Sequence, residues 1–362
     1  MNFASDNVVG ASAPVLDALV RANEGPAAAY GADELTRTVE RRFADLFERE
    51  VAVFLVATGT AANALALAAL VAPWGLCICH EEAHVIDDEC GAPEFFTHGA
   101  KLQGLPGTGC KLEPGPVAAL LDGLSVSAKQ MPAQALSISQ ATESGLVYSL
   151  NEIAALGELC RARKLTLHMD GARFANALVG LDASPADMTW RSGVDILSFG
   201  ATKNGCLAAE AVVVFDPALA ATLTFRRKRA GHTLSKGRFL AAQLDGYLAG
   251  GHWLENARHA NRAAKRLSTG LAGLPGVRLA WATQANEVFA ILPTAIDLAL
   301  KAAGALYHPW SARSLATREG ITDGDTLARF VASFATSDAA VDALLAAASP
   351  AAVQPSARMD KP

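Results

Sequence analysis

The sequence predicts an α/β fold: a large domain with a mostly parallel central sheet, followed by a smaller C-terminal α+β domain. Three observations carry this reading. Short apolar runs ending in small residues and one charged group recur along the chain, the pattern of buried parallel strands that deliver a charge at their C-terminal ends. Two of these runs, 165–170 and 194–200, flank a helical-looking segment, so Asp170 and Lys203 belong to one βαβ unit that brings both strand ends to the same sheet edge. The 362 residues exceed what one hydrophobic core usually holds. The expected division is an N-terminal arm over 1–14, a large domain over 15–245, a small domain over 246–348 and a disordered Pro/Ala/Ser-rich tail over 349–362.

The elements follow in order. Residues 1–14 have little periodicity, 15–23 form a short helix, and Tyr30-Gly31 sits in a loop over 25–33. Leu35, Val39, Phe43, Leu46 and Phe47 recur at three- and four-residue steps, giving an amphipathic helix over 34–48. A strand over 51–56 runs into Thr58-Gly59-Thr60 and then an Ala/Leu-rich helix to about Val71. Further strands are expected at 76–79, near 101–102, at 135–139 and at 211–215, with helices over 114–124 and 150–164. One long helix over 238–270 should lead into the second domain, whose strands are expected around 277–281, 286–292 and 313–317, with helices at 293–303 and 324–347. No internal repeats are evident.

Several function classes are excluded by composition. Apolar residues make up 51% and charged residues 19%, a globular balance. The net charge of −5 with no basic stripe argues against a nucleic-acid partner. The chain opens without the pattern of a secretory signal, and its most apolar window, 51–76, is broken by Thr58-Gly59-Thr60, Asn63 and Pro73, so neither export nor a membrane span is expected. The six Cys include only one C-x-C pair, Cys77 and Cys79, which alternation along a strand explains; no metal site is expected, and reduced thiols in the cytoplasm are the default.

The chemistry gathers at strand ends. A carboxylate and a lysine meeting in a cleft is what pyridoxal 5'-phosphate requires: the amine forms a Schiff base with the aldehyde, and the carboxylate keeps the pyridine nitrogen protonated. Thr58-Gly59-Thr60, between a strand and a helix start, suits a phosphate held by free backbone N–H groups and the helix dipole. His84 directly follows the strand at 76–79, where ligands of α/β sheets collect. The segment 225–236 is too rich in charge to be core.

Taken together, Ala4-Ser5-Asp6-Asn7, Tyr30-Gly31-Ala32-Asp33, Thr58-Gly59-Thr60-Ala61-Ala62-Asn63, Glu82-Ala83-His84, His168-Met169-Asp170-Gly171-Ala172-Arg173 and Thr202-Lys203-Asn204-Gly205 resemble, in order and over roughly 3–345, the low-specificity L-threonine aldolases of the threonine aldolase/β-eliminating lyase group. The version Ser198-Phe199-Gly200-Ala201-Thr202-Lys203 is similar to a bacterial branch that includes phenylserine-active aldolases. The resemblance implies a fold-type I, pyridoxal phosphate-dependent transferase-like architecture. It implies an aldolase that cleaves the Cα–Cβ bond of L-threonine, L-allo-threonine and related β-hydroxy-α-amino acids to glycine and an aldehyde.

By the same resemblance, Lys203 would carry the cofactor, Asp170 would pair with the pyridinium and His84 would stack on the ring. Gly59 and Thr60 would hold the phosphate, helped by Lys228 of a neighbouring subunit in a homotetramer built as a dimer of dimers with shared active sites. Ser5, Arg173 and Arg313 would hold the substrate carboxylate, and Tyr30 would line the entrance. Two departures stand out. Many members carry a second His in the loop after the central strand, where this chain has Gln140-Ala141-Thr142-Glu143; many carry an Arg where this chain has Ser235, with Lys236 beside it as a substitute. His84, or a water held by the 140–143 loop, is then the candidate base. Other readings keep the cofactor and change the bond broken, as in a β-eliminating lyase, racemase or aminotransferase, or remove turnover, as in a cofactor-binding regulator.

Overall fold

The structure, a computed structural model, describes residues 1–125, 127–311, 313, 315, 321–322 and 324–349. Its central sheet has seven strands: β1 (Ala52–Val56), β2 (Leu76–His80), β3 (Lys101–Leu105), β4 (Ala133–Ser139), β5 (Thr166–Gly171), β6 (Ile196–Gly200) and β7 (Glu210–Val214). They lie in the order β1-β7-β6-β5-β4-β2-β3. The pairs from β3 through β6 are parallel, and β7 runs antiparallel to both β1 and β6. A parallel return needs a crossover of a dozen or more residues. The connection from Gly200 to Glu210 is shorter than that, so β7 doubles back, and Lys203 sits in the tight return.

Register then sets the position of the site. Ser139, Asp170 and Ser198 are level across β4, β5 and β6. Val56, Glu210 and Gly200 are level across β1, β7 and β6. One edge of the sheet therefore presents Thr58-Gly59-Thr60, the Lys203 return, Asp170 and the loop after Ser139. Beneath that edge the buried His168 imidazole bonds Ser137 Oγ at 2.8 Å and Ser198 Oγ at 3.0 Å, tying three strands together two residues before Asp170.

A second sheet, all antiparallel, has the order β10-β11-β9-β8, from β8 (Arg278–Leu279), β9 (Glu287–Pro293), β10 (His308–Pro309) and β11 (Asp325–Val331). Its own core includes Leu267, Leu271, Val288, Leu292, Phe330 and Val341. The helix His252–Ala272 joins the two: Trp253 and Ala257 pack in the core of the first sheet, Ala263 to Leu271 in that of the second. The arm is pinned rather than loose. Phe3 is fully buried in the second core, its N–H donates to Leu306 O at 2.8 Å, and its carbonyl accepts from Val331 N–H at 2.8 Å.

Four expectations are corrected. The long helix over 238–270 is two helices, Arg238–Leu248 and His252–Ala272, because Gly250 and Gly251 take φ of 60° and 77° and break the ladder between them. The helix over 324–347 starts instead as β11, which pairs with β9 on one side and β10 on the other; only Asp338–Ala347 is helical, capped by Ser337 Oγ on Ala340 N–H. Pairing on both edges overrides local helical preference. The strand at 277–281 shrinks to Arg278–Leu279. Arg313 lies in a turn rather than opening a strand; Ser314, Ala316 and Thr317 of that segment lie outside the described residues, as does the tail from 350 onward. Among the described residues no helix is long and apolar enough to cross a membrane.

Candidate active site

A cavity of about 300 Å³ opens at the sheet edge just described. Six of the residues singled out in the sequence line it: Gly59, Thr60, His84, Asp170, Arg173 and Lys203. Each arrives on a different device. Thr58 Oγ1 caps the helix Gly59–Leu70 by accepting Ala61 N–H at 3.1 Å, so the first turn meets the cavity with Gly59 and Thr60. A Cβ built on Gly59 would meet nothing within 4 Å, which leaves room for an anion against the helix start. Gly205 closes the Lys203 return at φ 136°; a Cβ there would come within 2.7 Å of Asn256 Nδ2 and 3.0 Å of Ser12 Oγ. The glycine of Thr202-Lys203-Asn204-Gly205 thus serves the lysine's position.

A polar chain runs across the floor. Asp170 Oδ1 accepts from Ala172 N–H at 2.9 Å and Oδ2 from Asn63 Nδ2 at 2.8 Å. The same Asn63 amide donates to Glu89 Oε1 at 2.7 Å, and His84 Nδ1 lies 2.9 Å from that oxygen. The Glu89 bond raises the imidazole pKa of His84 above its ordinary value, and burial raises the carboxyl of Glu89. Burial and the nearby Arg173 guanidinium pull the Lys203 ammonium below its ordinary range, toward the free amine that attacks a carbonyl. Two further carboxyls line the cavity. Burial pushes Glu143 to about 7 and Glu210 to about 7. Glu143 Oε1 accepts from Ser139 Oγ at 2.6 Å and from His84 N–H at 2.9 Å, and Glu210 Oε2 accepts from Ala201 N–H at 2.7 Å.

Arg173 is held from behind. Its Nε donates to Asp6 Oδ2 at 2.8 Å, its Nη2 to Asp6 Oδ1 at 3.1 Å, and Nη2 lies 3.4 Å from Glu287 Oε1. This buried cluster joins the arm, the first sheet and β9 of the second.

The other five residues stand outside the cavity lining. Ser5 Oγ accepts from Asn7 N–H at 3.1 Å, capping the turn Asp6–Val8 and so placing Asn7 in the cavity wall. Tyr30 and Lys228 are both exposed, with Lys228 Nζ 5.0 Å from the Tyr30 ring centre, and Lys236 is exposed as well. Within the same segment, His232 Nδ1 accepts from Ala57 N–H at 3.3 Å, at the foot of the Thr58-Gly59-Thr60 turn. Arg313 Nη2 donates to Asp87 Oδ2 at 2.6 Å and its Nε lies 3.7 Å from Glu82 Oε2, which fastens it to the short helix His84–Asp87.

Pyridoxal phosphate fits these groups: an anion seat at Gly59 and Thr60, a carboxylate at Asp170 for a ring nitrogen, and an amine at Lys203 for an aldehyde. The unpartnered buried atoms Asn63 Oδ1 and Glu89 Oε2 stand at the same floor. Sequence reasoning missed Asn63 and Glu89 as a pair, and Asp6, Glu210 and Glu287. The only signal for them was their polarity beside strand ends and inside the motifs.

Comparison with known proteins agrees with the geometry. The Beta-eliminating lyase family model matches residues 2–293. The chain is 44% identical over 287 residues to the low specificity L-threonine aldolase of a Pseudomonas species, covering 79% of this chain and 83% of that one. It is 43% identical over 302 residues to the enzyme of that description from Pseudomonas aeruginosa, covering 83% and 87%. The solved structure of Leishmania major threonine aldolase superposes with a TM-score of 0.88 at 27% identity, covering 96% of this chain and 98% of that one. With two-sheet architecture, a cavity at the parallel strand ends and these matches in agreement, the chain belongs to the Beta-eliminating lyase family of fold-type I enzymes.

Proposed function

We propose that the protein is a pyridoxal phosphate-dependent carbon–carbon lyase. It cleaves L-threonine, L-allo-threonine and related β-hydroxy-α-amino acids, phenylserine among them, to glycine and an aldehyde. The observation that carries this is the delivery of Asp170 and Lys203 on neighbouring strands into one cavity, beside the helix start at Gly59, in a chain so similar to named threonine aldolases. When bound, pyridoxal phosphate supplies an electron sink for the pair released from the Cα–Cβ bond.

The chain's own residues do the rest. Lys203 provides the amine; burial and Arg173 pull its ammonium below the ordinary range. Asp170, oriented by Asn63 and by Ala172 N–H, holds a proton at the ring nitrogen. His84, fixed through Nδ1 by Glu89, would hold the cofactor from the cavity wall. Arg173, Arg313 and Ser5 would hold the substrate carboxylate and so fix the orientation of the bond to be broken; Tyr30 would border the entrance. Lys228 and Lys236, exposed and away from their own chain's cavity, reach the phosphate site of a neighbour in a homotetramer. Exposed Phe95 and Phe225, at 75% and 73%, support such an assembly. The two sheets support a division into an arm over 1–14, a large domain over 15–245 and a small domain over 246–348. The enzyme acts in the cytoplasm, a reading that rests on the default of reduced thiols for six cysteines without a zinc-type double pair.

The test is aldehyde release from the three substrates by the cofactor-loaded enzyme, with glycine measured in parallel. Equimolar glycine and aldehyde are expected. Pyruvate, a keto acid or the enantiomeric amino acid as main product would contradict the reading. An active monomer in sedimentation would refute the shared site.

A further inference from the structure

We propose that Glu143 is the catalytic base that accepts the substrate's β-hydroxyl proton, an inference that rests on the aldolase reading of the cavity. Four observations carry it. Glu143 lines the cavity just past the end of β4, beside Asp170 and His84. It sits in the loop Gln140-Ala141-Thr142-Glu143, which holds no histidine and where its carboxyl is the one titratable side chain. Its carboxyl is clamped through one oxygen only: Oε1 takes the Ser139 hydroxyl and the His84 N–H, while Oε2 is buried with no hydrogen-bond partner. A carboxyl oxygen in that condition is stabilised by a proton or by a donor brought in by the substrate. Finally, Glu143 already holds the His84 segment through the His84 N–H, while the His84 Nδ1 is engaged by Glu89, so the carboxyl and the imidazole are fixed side by side at this wall of the cavity.

In the step itself the hydroxyl O–H bond breaks and its proton passes to the Glu143 carboxylate. The O–H electron pair becomes the second bond of the aldehyde carbonyl, and the Cα–Cβ pair stays with Cα, where the cofactor, when bound, would supply the electron sink. A proton returned to Cα completes glycine, so atoms and charge balance without a further reactant. Burial places the acid near 7, where a base gains and loses a proton at neutral pH. The groups that face it are Ser139 on β4, the His84 N–H, Asp170 on β5, Arg173 beyond it, Cys79 on β2, and Tyr148.

The test compares Glu143→Gln with wild type, both as holoenzyme. Aldehyde release should fall on the order of a hundredfold or more. The visible absorbance of the bound cofactor should be unchanged, and exchange of the glycine Cα proton with deuterated water, which needs no hydroxyl base, should continue. Infrared difference spectra should show a protonated carboxyl that titrates near 7 in wild type and is missing from Glu143→Gln. Unchanged cleavage, cleavage and exchange lost in parallel, or the absence of that carboxyl would each overturn the proposal. Should Glu143→Gln fail to fold, Ser139→Ala serves: it removes a bond to the charged form, so the acid limb of kcat/KM should move to higher pH, and an unmoved limb overturns the proposal. Wild type that releases no aldehyde from any β-hydroxy amino acid would instead refute the aldolase reading, whatever the infrared titration shows.

Discussion

Replacing Asp6 by Asn should destabilise the folded protein by about 3 kcal/mol, the low end of the range for breaking a buried ion pair. The reasoning is geometric. Asp6 and Arg173 meet through two bonds, 2.8 and 3.1 Å, with side chains only 2% and 12% exposed. An Asn at position 6 keeps the shape but turns one acceptor into a donor, facing either Arg173 Nη2 or the Asn286 amide that now donates to Oδ2 at 3.1 Å. Full loss of a partner would cost more. Here Glu287, 3.4 Å from Arg173 Nη2, remains to share the charge. Urea unfolding of wild type, Asp6→Asn, Arg173→Gln and the double variant, all loaded with cofactor, gives the coupling directly. A single-variant loss below about 1 kcal/mol, the range of exposed pairs, would refute the view that this cluster fastens the arm and second sheet to the site.

Three further outcomes are expected. Arg313→Lys keeps a charge but loses the planar grip; at a cost of about 1.5–3 kcal/mol for a charge-assisted bond, kcat/KM should fall roughly tenfold to a hundredfold with cofactor occupancy intact, and unchanged efficiency would leave the substrate carboxylate to Arg173. Gly205→Ala forces a side chain into φ 136° against Asn256 and Ser12, so the melting temperature should drop, with about 1–3 kcal/mol lost; an unchanged melting temperature contradicts the packing argument. Burial pushes the His168 imidazole to about 4 from 6.5, so its contribution is present above 6.5 and is lost as pH falls toward 4. This amounts to roughly 3 kcal/mol, and His168→Gln should show a shallower loss of stability over that window; an identical slope would mean the imidazole is not held neutral.

Much of the site was legible because parallel strands are buried on both faces and release their charges only at their ends. Asp170, Lys203, His84 and the Thr58-Gly59-Thr60 turn each follow an apolar run, and register does the rest. What was not legible depends on contacts between distant segments. Nothing local says that Asp6 meets Arg173, or that Asn63 spans Asp170 and Glu89. The segment Asp325–Val331 has apolar spacing compatible with a helix and becomes a strand because β9 and β10 pair with it. The long helix after Arg238 failed at Gly250 and Gly251, where two positive φ values, and no proline, end it. Arg313 and Lys228 were read from resemblance, and their own-chain surroundings, Asp87 and the Tyr30 ring, have no sequence signal at all.

The central claim is that Asp170 and Lys203 define one pyridoxal phosphate site at the parallel strand ends. Borohydride reduction of the loaded enzyme followed by peptide mapping tests it most directly. The pyridoxyl group should be found on Lys203, and Lys203→Ala should lose both the label and the visible absorbance. A label on Lys228 or Lys236 would contradict the account.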